Sequence, residues 1–307
     1  MPSVAFVTDA FPNFPAAPPV RRHAHCPCKP GMSGARAPAP SSAVPGNGSA
    51  AQLRAIVTIA RYTLLEALHS RIAVAALIAI ALGIGFGQFT DMLALTDSNG
   101  IRAATLAALY RLTAVFLLSS FTIASVVREH NDKSLELIFS LPLPRAGYLL
   151  GKWLGCAMAA VVLAALFALP LAASAPAPAV AAWAASLALE LMLMASASLL
   201  CALTFTHVVG SLAASAAFYA LSRSIGALLA IGSSSVAPLE SAGFQVANGL
   251  LHAIAALLPR LDLFTRSAWL TGDASPVADL GLIALQCLVY TVLLLAAGLI
   301  DLMRKNV

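Results

Sequence analysis

The sequence predicts an all-α membrane protein: a six-helix transmembrane bundle, with an amphipathic helix before the first span and a short cytoplasmic helix between the second and third. Three observations predict it. Of 307 residues 60% are hydrophobic and only 10% are charged, against roughly 25% charged in a soluble domain, so most of the chain has lipid as its solvent. Six apolar segments, 72–90, 103–126, 149–172, 178–203, 206–231 and 280–301, reach or nearly reach the ~20 residues that cross ~30 Å of hydrocarbon. Lys and Arg gather at alternate ends of those segments, as the positive-inside bias requires.

Residues 1–49 are rich in Pro, Ala, Gly and Ser. They bury too little apolar surface to offset chain entropy and read as a disordered tail. Their opening has no basic start and too short an apolar core for a signal peptide. Met32 is a second candidate start of translation. Cys26 and Cys28 form a Cys-Pro-Cys within this tail, a weak metal or redox signal with no His/Cys set at zinc-ligand spacing beside it. Cys156, Cys201 and Cys287 fall inside apolar runs and read as small hydrophobes.

Residues 50–307 form the membrane domain. Over 50–71, Leu53, Ile56, Val57, Ala60, Leu64 and Leu68 fall on one helical stripe, and Arg54, Thr58, Arg61 and Glu66 lie largely off it. That pattern fits a helix lying in the headgroup region, or a cytoplasmic extension of the first span. Pro170, Pro176 and Pro178 punctuate the turn between the third and fourth spans. The apolar stretch 246–259 is too short to span and fits an interfacial or re-entrant helix ending at Pro259. Arg54, Arg61 and Arg71 precede the first span; Arg128, Lys133, Arg145 and Lys152 follow the second; Arg304 and Lys305 close the chain. Six spans then place both termini and the 127–148 loop in the cytoplasm.

That loop reads VREHNDKSLELIFSLPLPRAGY and is unusually charged for this chain. Asn131, Asp132 and Ser134 are credible helix N-caps. Leu135, Ile138, Phe139 and Leu141 give a short apolar face, and Pro142 and Pro144 end the helix. Such a segment suits a groove on a soluble partner, and it equally suits a solvated interhelical loop. The run Arg128-Glu129, Asp132, Ser134-Leu135-Glu136-Leu137, Ser140-Leu141-Pro142, Pro144-Arg145, Tyr148 and Gly151-Lys152 resembles the signature of type-2 ABC transporter permeases, the export class. Ile59–Leu68 with Arg71 is similar to that family's elbow helix, and Leu257–Leu270 is similar, more loosely, to its segment before the last span. Lys133 and Ser134 depart from the Gly-Thr common in the family, and Asn131 stands where an acidic residue is common.

The resemblance covers about 55–303. It implies a bacterial inner-membrane permease that pairs with a second copy or a homologous permease. It also implies docking of a separate ABC ATP-binding subunit on a coupling helix, with Glu129, Asp132, Ser134, Leu135, Glu136, Pro142 and Arg145 carrying the contact. The chain itself reads as neither an enzyme nor a cofactor binder. The nearest approach to a P-loop, Gly147 to Trp153, is one residue short between its glycines and has Trp where Ser or Thr should bind Mg²⁺. Gly147, Gly151 and Gly155, like Gly83 and Gly87, read as close-packing surfaces. No H-E-x-x-H or G-x-S-x-G occurs, no metal site is readable, and no basic run with interleaved aromatics points to nucleic acid.

Three charges lie within spans: Arg111, Glu190 and Arg223. A charge there costs ~2.5–3.5 kcal/mol on insertion scales. Arg111 and Arg223 lie about eight residues, or ~12 Å, from the outer ends of their spans, within much of an arginine's snorkelling reach. Glu190 is nearer the midplane and is expected to pair with one of them, either as packing or in substrate passage. His207 reads as a cap or interface residue, and Ser119, Ser120, Ser196 and Ser198 as interhelical polar glue. The alternative function is a non-transport membrane scaffold or assembly-pathway subunit.

Overall fold

The computed structural model describes residues 48–93, 98–132, 145–172, 175–205, 207–232, 249–255, 258–265 and 276–304. Among these residues are seven long helices: α1 (Gly48–His69), α2 (Arg71–Leu93), α3 (Ser98–Asn131), α4 (Arg145–Leu171), α5 (Ala177–Thr204), α6 (Val208–Gly232) and α7 (Pro276–Arg304). A 3-10 turn, Leu261–Thr265, lies between the last two. No strand occurs among the described residues. The helices α2 to α7 each contain a stretch long and apolar enough to cross a membrane: Arg71–Phe89, Arg102–Asn131, Arg145–Leu171, Ala177–Thr204, Val208–Ala230 and Leu280–Arg304. The protein is a multi-pass, all-α membrane protein.

The helices run past the apolar segments that predict them, because polar flanking turns continue the same hydrogen-bond ladder. The clearest case is α3. The amide of Asp132 donates to the Arg128 carbonyl at 2.9 Å, so Arg128 and Glu129 belong to the last turn of α3 rather than to a loop starting at 127. Pro176 and Pro178 sit where a missing N–H costs least, and Pro170 removes a donor close to where the α4 ladder ends. Pro170 lies in the final turn of α4, Pro176 is the N-cap of α5, and Pro178 is in the first turn of α5.

The central helix is α5. It packs on α3, α4, α6 and α7, and Leu187, Leu191, Leu193, Met194 and Ala195 are essentially inaccessible. In contrast, α2, α6 and α7 are mostly exposed along their spans. Their outward Leu and Val side chains, such as Leu282, Leu285 and Val292, need no polar cover in hydrocarbon. Glycines set the close approaches. Gly87 faces Leu106, where an added Cβ would stand 3.0 Å from a leucine methyl, and Gly83 lies against the Tyr110 ring. That ring packs on Phe167 with centroids 5.3 Å apart, and its hydroxyl donates to the Ile80 carbonyl at 3.2 Å.

The position of α1 divides the expected stripe between protein contact and exposed surface. It runs alongside the first half of α4 in parallel register. A Cβ on Gly151 would meet Ile59 at 3.0 Å, and one on Gly155 would meet the Ala60 carbonyl at 2.8 Å. Ala60 and Thr63 are buried, Ile56, Ile59, Leu64 and Ala67 are half-buried on the same side, and Leu53, Val57 and Leu68 are exposed. Hydrophobic spacing alone finds an apolar face; the two glycines decide which residues α4 admits.

Within the stretch 246–259, residues 249–255 are helical among the described residues, and a buried turn follows Pro259. Leu261 and Phe264 are fully buried, spaced by three as a 3-10 turn requires. The turn packs on α5 and α6. Tyr290 on α7 donates to the Leu258 carbonyl at 3.1 Å. Residues 1–47, including Cys26 and Cys28, lie outside the described residues, and α1 begins at Gly48, just inside the range read as tail.

Candidate functional site

Two ionic clusters lie in the bundle, one at the end shared by α1, α3 and α4, the other between α3, α5 and α6. The first is built around Lys152. Two turns into α4, its side chain is only 2% exposed. An ammonium has three donors to satisfy. Lys152 donates to Ser125 Oγ at 2.8 Å and to Glu129, and stands 3.8 Å from Glu66 Oε2. Glu66 accepts from Ser125 and pairs with Arg128. Glu129 also accepts from the Tyr148 hydroxyl. Two carboxylates and two cations thus close a neutral network that ties α1, the end of α3 and the start of α4 together.

This network joins the residues that flank 133–144. Glu129 holds one flank against Tyr148 and Lys152 on the other, and Arg145 donates to the Leu302 carbonyl at 3.0 Å. Asp132 is exposed at the lip. Ser134, Leu135, Glu136 and Pro142 lie outside the described residues. The last turn of α7 and α1 accordingly share this end of the bundle, which also carries Arg54, Arg61, Arg128 and Arg145. Sequence reading places Lys152 in a Gly-Lys motif at a span start; its burial depends on α1 covering it, which the spacing does not reveal.

The second cluster is the Arg111–Glu190–Arg223 triad. Glu190 is fully buried and pairs with both arginines. Arg111, 3% exposed, hydrogen-bonds Glu190 Oε2 and donates to Ser186 Oγ at 2.9 Å. Its guanidinium carbon lies 5.5 Å from the centre of the Trp183 ring, a cation–π distance. Trp183, Ser186 and Glu190 recur at three and four residues, so α5 presents all three on one face. Arg111 therefore does not snorkel outward: the buried carboxylate competes successfully with the headgroups. Arg223 holds Glu190 more loosely, at 3.6 Å from Oε1, with a side chain 34% exposed. One turn before it, Tyr219 is buried within electrostatic reach of all three charges.

The remaining polar residues play local parts. Ser198 and Ser215 bridge α5 and α6 at 3.0 Å, as interhelical glue does; Ser196 instead bonds the carbonyl of Leu193 in its own helix. The His207 carbonyl accepts the Ser211 amide at 3.1 Å and starts α6. Cys287 donates to the Leu189 carbonyl at 3.2 Å. Among the described residues no group of three His, Cys, Asp or Glu side chains could hold a metal ion. No protein-family model matches the chain, and no curated protein matches it.

Proposed function

We propose that this chain is the transmembrane permease subunit of an ATP-driven exporter of the ABC type. In this reading, a separate ATP-binding chain docks on segment 133–144. The observation that carries the proposal is the charged Arg128–Arg145 run with its Ser134-Leu135-Glu136-Leu137 core, set between two spans of a six-span protein. The ionic mounting supports it. A segment that receives a push transmits it only if its ends are held, and Glu129, Tyr148, Lys152 and Arg145 hold them. The excess of arginine at this end over the opposite one supports a cytoplasmic placement of both termini, in a bacterial inner membrane. Closure of the ATPase pair would then rock two permease copies, or this chain and a homologous permease, as rigid bodies.

The test is co-expression of the full chain with candidate ABC ATP-binding proteins from the same genome. One such pair is expected to co-purify in detergent, with ATP hydrolysis raised by the permease. Glu136→Arg is expected to abolish both while leaving the bundle folded. Failure of the wild-type chain to bind any ATP-hydrolysing protein would leave a membrane scaffold or assembly subunit as the better reading.

A further inference from the structure

We propose that Arg223 is a binding site for an oxyanion, the phosphate or carboxylate group of an anionic ligand, reached from the exposed face of α6. This inference stands independently of the docking of an ATPase. It starts from a charge imbalance. The network around Lys152 is neutral, with Glu66 and Glu129 facing Lys152 and Arg128. The triad holds two arginines against one carboxylate, a net charge of +1 within the spans.

The two arginines are not equivalent. Arg111 is spent: its donors go to Glu190 and Ser186, its face lies over Trp183, and it is buried. Arg223 is not. Glu190 is shared with Arg111 and lies within hydrogen-bonding reach of Tyr219, and the Arg223 Nη1 atom, buried beside Glu190 Oε1, makes no hydrogen bond to it. Their 3.6 Å separation is an ion contact without a hydrogen bond. A guanidinium offers a planar fork of donors suited to two oxygens of one oxyanion. Glu190 cannot fill that fork, because its other oxygen is committed to Arg111.

Access is provided by the neighbours of Arg223 on α6. Ala220, Ser224 and Ala227, at three before, one after and four after, are all small and exposed. They leave one side of the guanidinium without a bulky cover, while Gly226, one turn on, lies against Asp262, whose charge is paired with Arg260. Arg223 lies nine residues before the end of α6 at Gly232, about 14 Å along the axis. That is nearly half the ~30 Å hydrocarbon thickness, so the ligand is an amphiphile whose charge is drawn well below the headgroup level, or a small anion entering from water.

The full chain in nanodiscs of equimolar phosphatidylcholine and phosphatidylglycerol tests this, with retained lipid read by native mass spectrometry. The wild-type chain is expected to retain phosphatidylglycerol with about a tenfold preference. Arg223→Gln is expected to lose the preference and Arg223→Lys to keep part of it. Ser224→Leu, which shades the guanidinium without removing charge, is expected to lose it as well. Ser224→Leu carries the test if Arg223→Gln fails to fold. A parallel arm titrates inorganic phosphate against the thermal midpoint in phosphatidylcholine alone. Arg223-dependent binding in the lipid arm assigns a headgroup; in the phosphate arm only, it assigns a soluble anion. Equal behaviour of wild type and the variants in both arms overturns the proposal.

Discussion

Breaking the triad on its buried side gives the sharpest stability prediction. Glu190→Gln removes the charge that faces both arginines, and Arg111→Met removes the better-bound partner. Both side chains are almost completely buried: Glu190→Gln strands Arg111 with no carboxylate, and Arg111→Met leaves Glu190 with only the looser contact to Arg223. Such breaks cost about 3–5 kcal/mol in protein interiors. The double variant leaves Arg223 as the one remaining charge of the three, so it is expected to cost much less than the sum. Coupling between polar side chains in membrane bundles averages about 0.6 kcal/mol and reaches about 1.7. A full ion pair supported by Ser186 and Trp183 should exceed that, at about 2–3 kcal/mol. The assay is a double-mutant cycle of unfolding free energies in mixed micelles. Additivity within about 0.5 kcal/mol would refute the pairing.

Three further outcomes follow from the packing. Lys152→Met leaves Glu129 and Glu66 without their buried cation, and should destabilise the chain by about 3–5 kcal/mol in the same unfolding assay. Gly155→Val places a side chain against the Ala60 carbonyl and Thr63. It should cost about 1–3 kcal/mol by overpacking, and should raise protease cleavage within α1 before any change in the rest of the bundle. Cys156 and Cys287 are buried, so a membrane-permeant maleimide should modify them only after denaturation; rapid labelling of the native protein would contradict the packing of α4 and α7.

Much of this fold is legible in the sequence because lipid imposes a simple rule: a span needs a long apolar run, and six such runs are present. Helix ends are less legible, since the turns at 98–102 and 127–131 are polar yet continue α3. Facing is harder still. The depth of Arg111, Glu190 and Arg223 follows from counting residues, and so does the expectation that Glu190 pairs. That it meets both arginines, with Arg111 saturated and Arg223 open, depends on how α3, α5 and α6 are rotated about their axes. Ser186 and Trp183, at four and seven residues from Glu190, carry a signal in their spacing that points to a shared face. The role of Glu66 was not legible: it falls off the hydrophobic stripe of α1, and only the glycine groove of α4 turns it toward Lys152. The burial of Leu261 and Phe264 was hidden for a similar reason, since five residues of 3-10 turn are too short to show a period.

The docking of an ATP-binding chain on segment 133–144 is tested most directly by a photoreactive residue at position 135, irradiated in native membranes. The account predicts a cross-linked adduct whose partner, read by mass spectrometry, carries a Walker nucleotide-binding sequence. Adducts to lipid alone, or to a protein outside the cytoplasm, would contradict it.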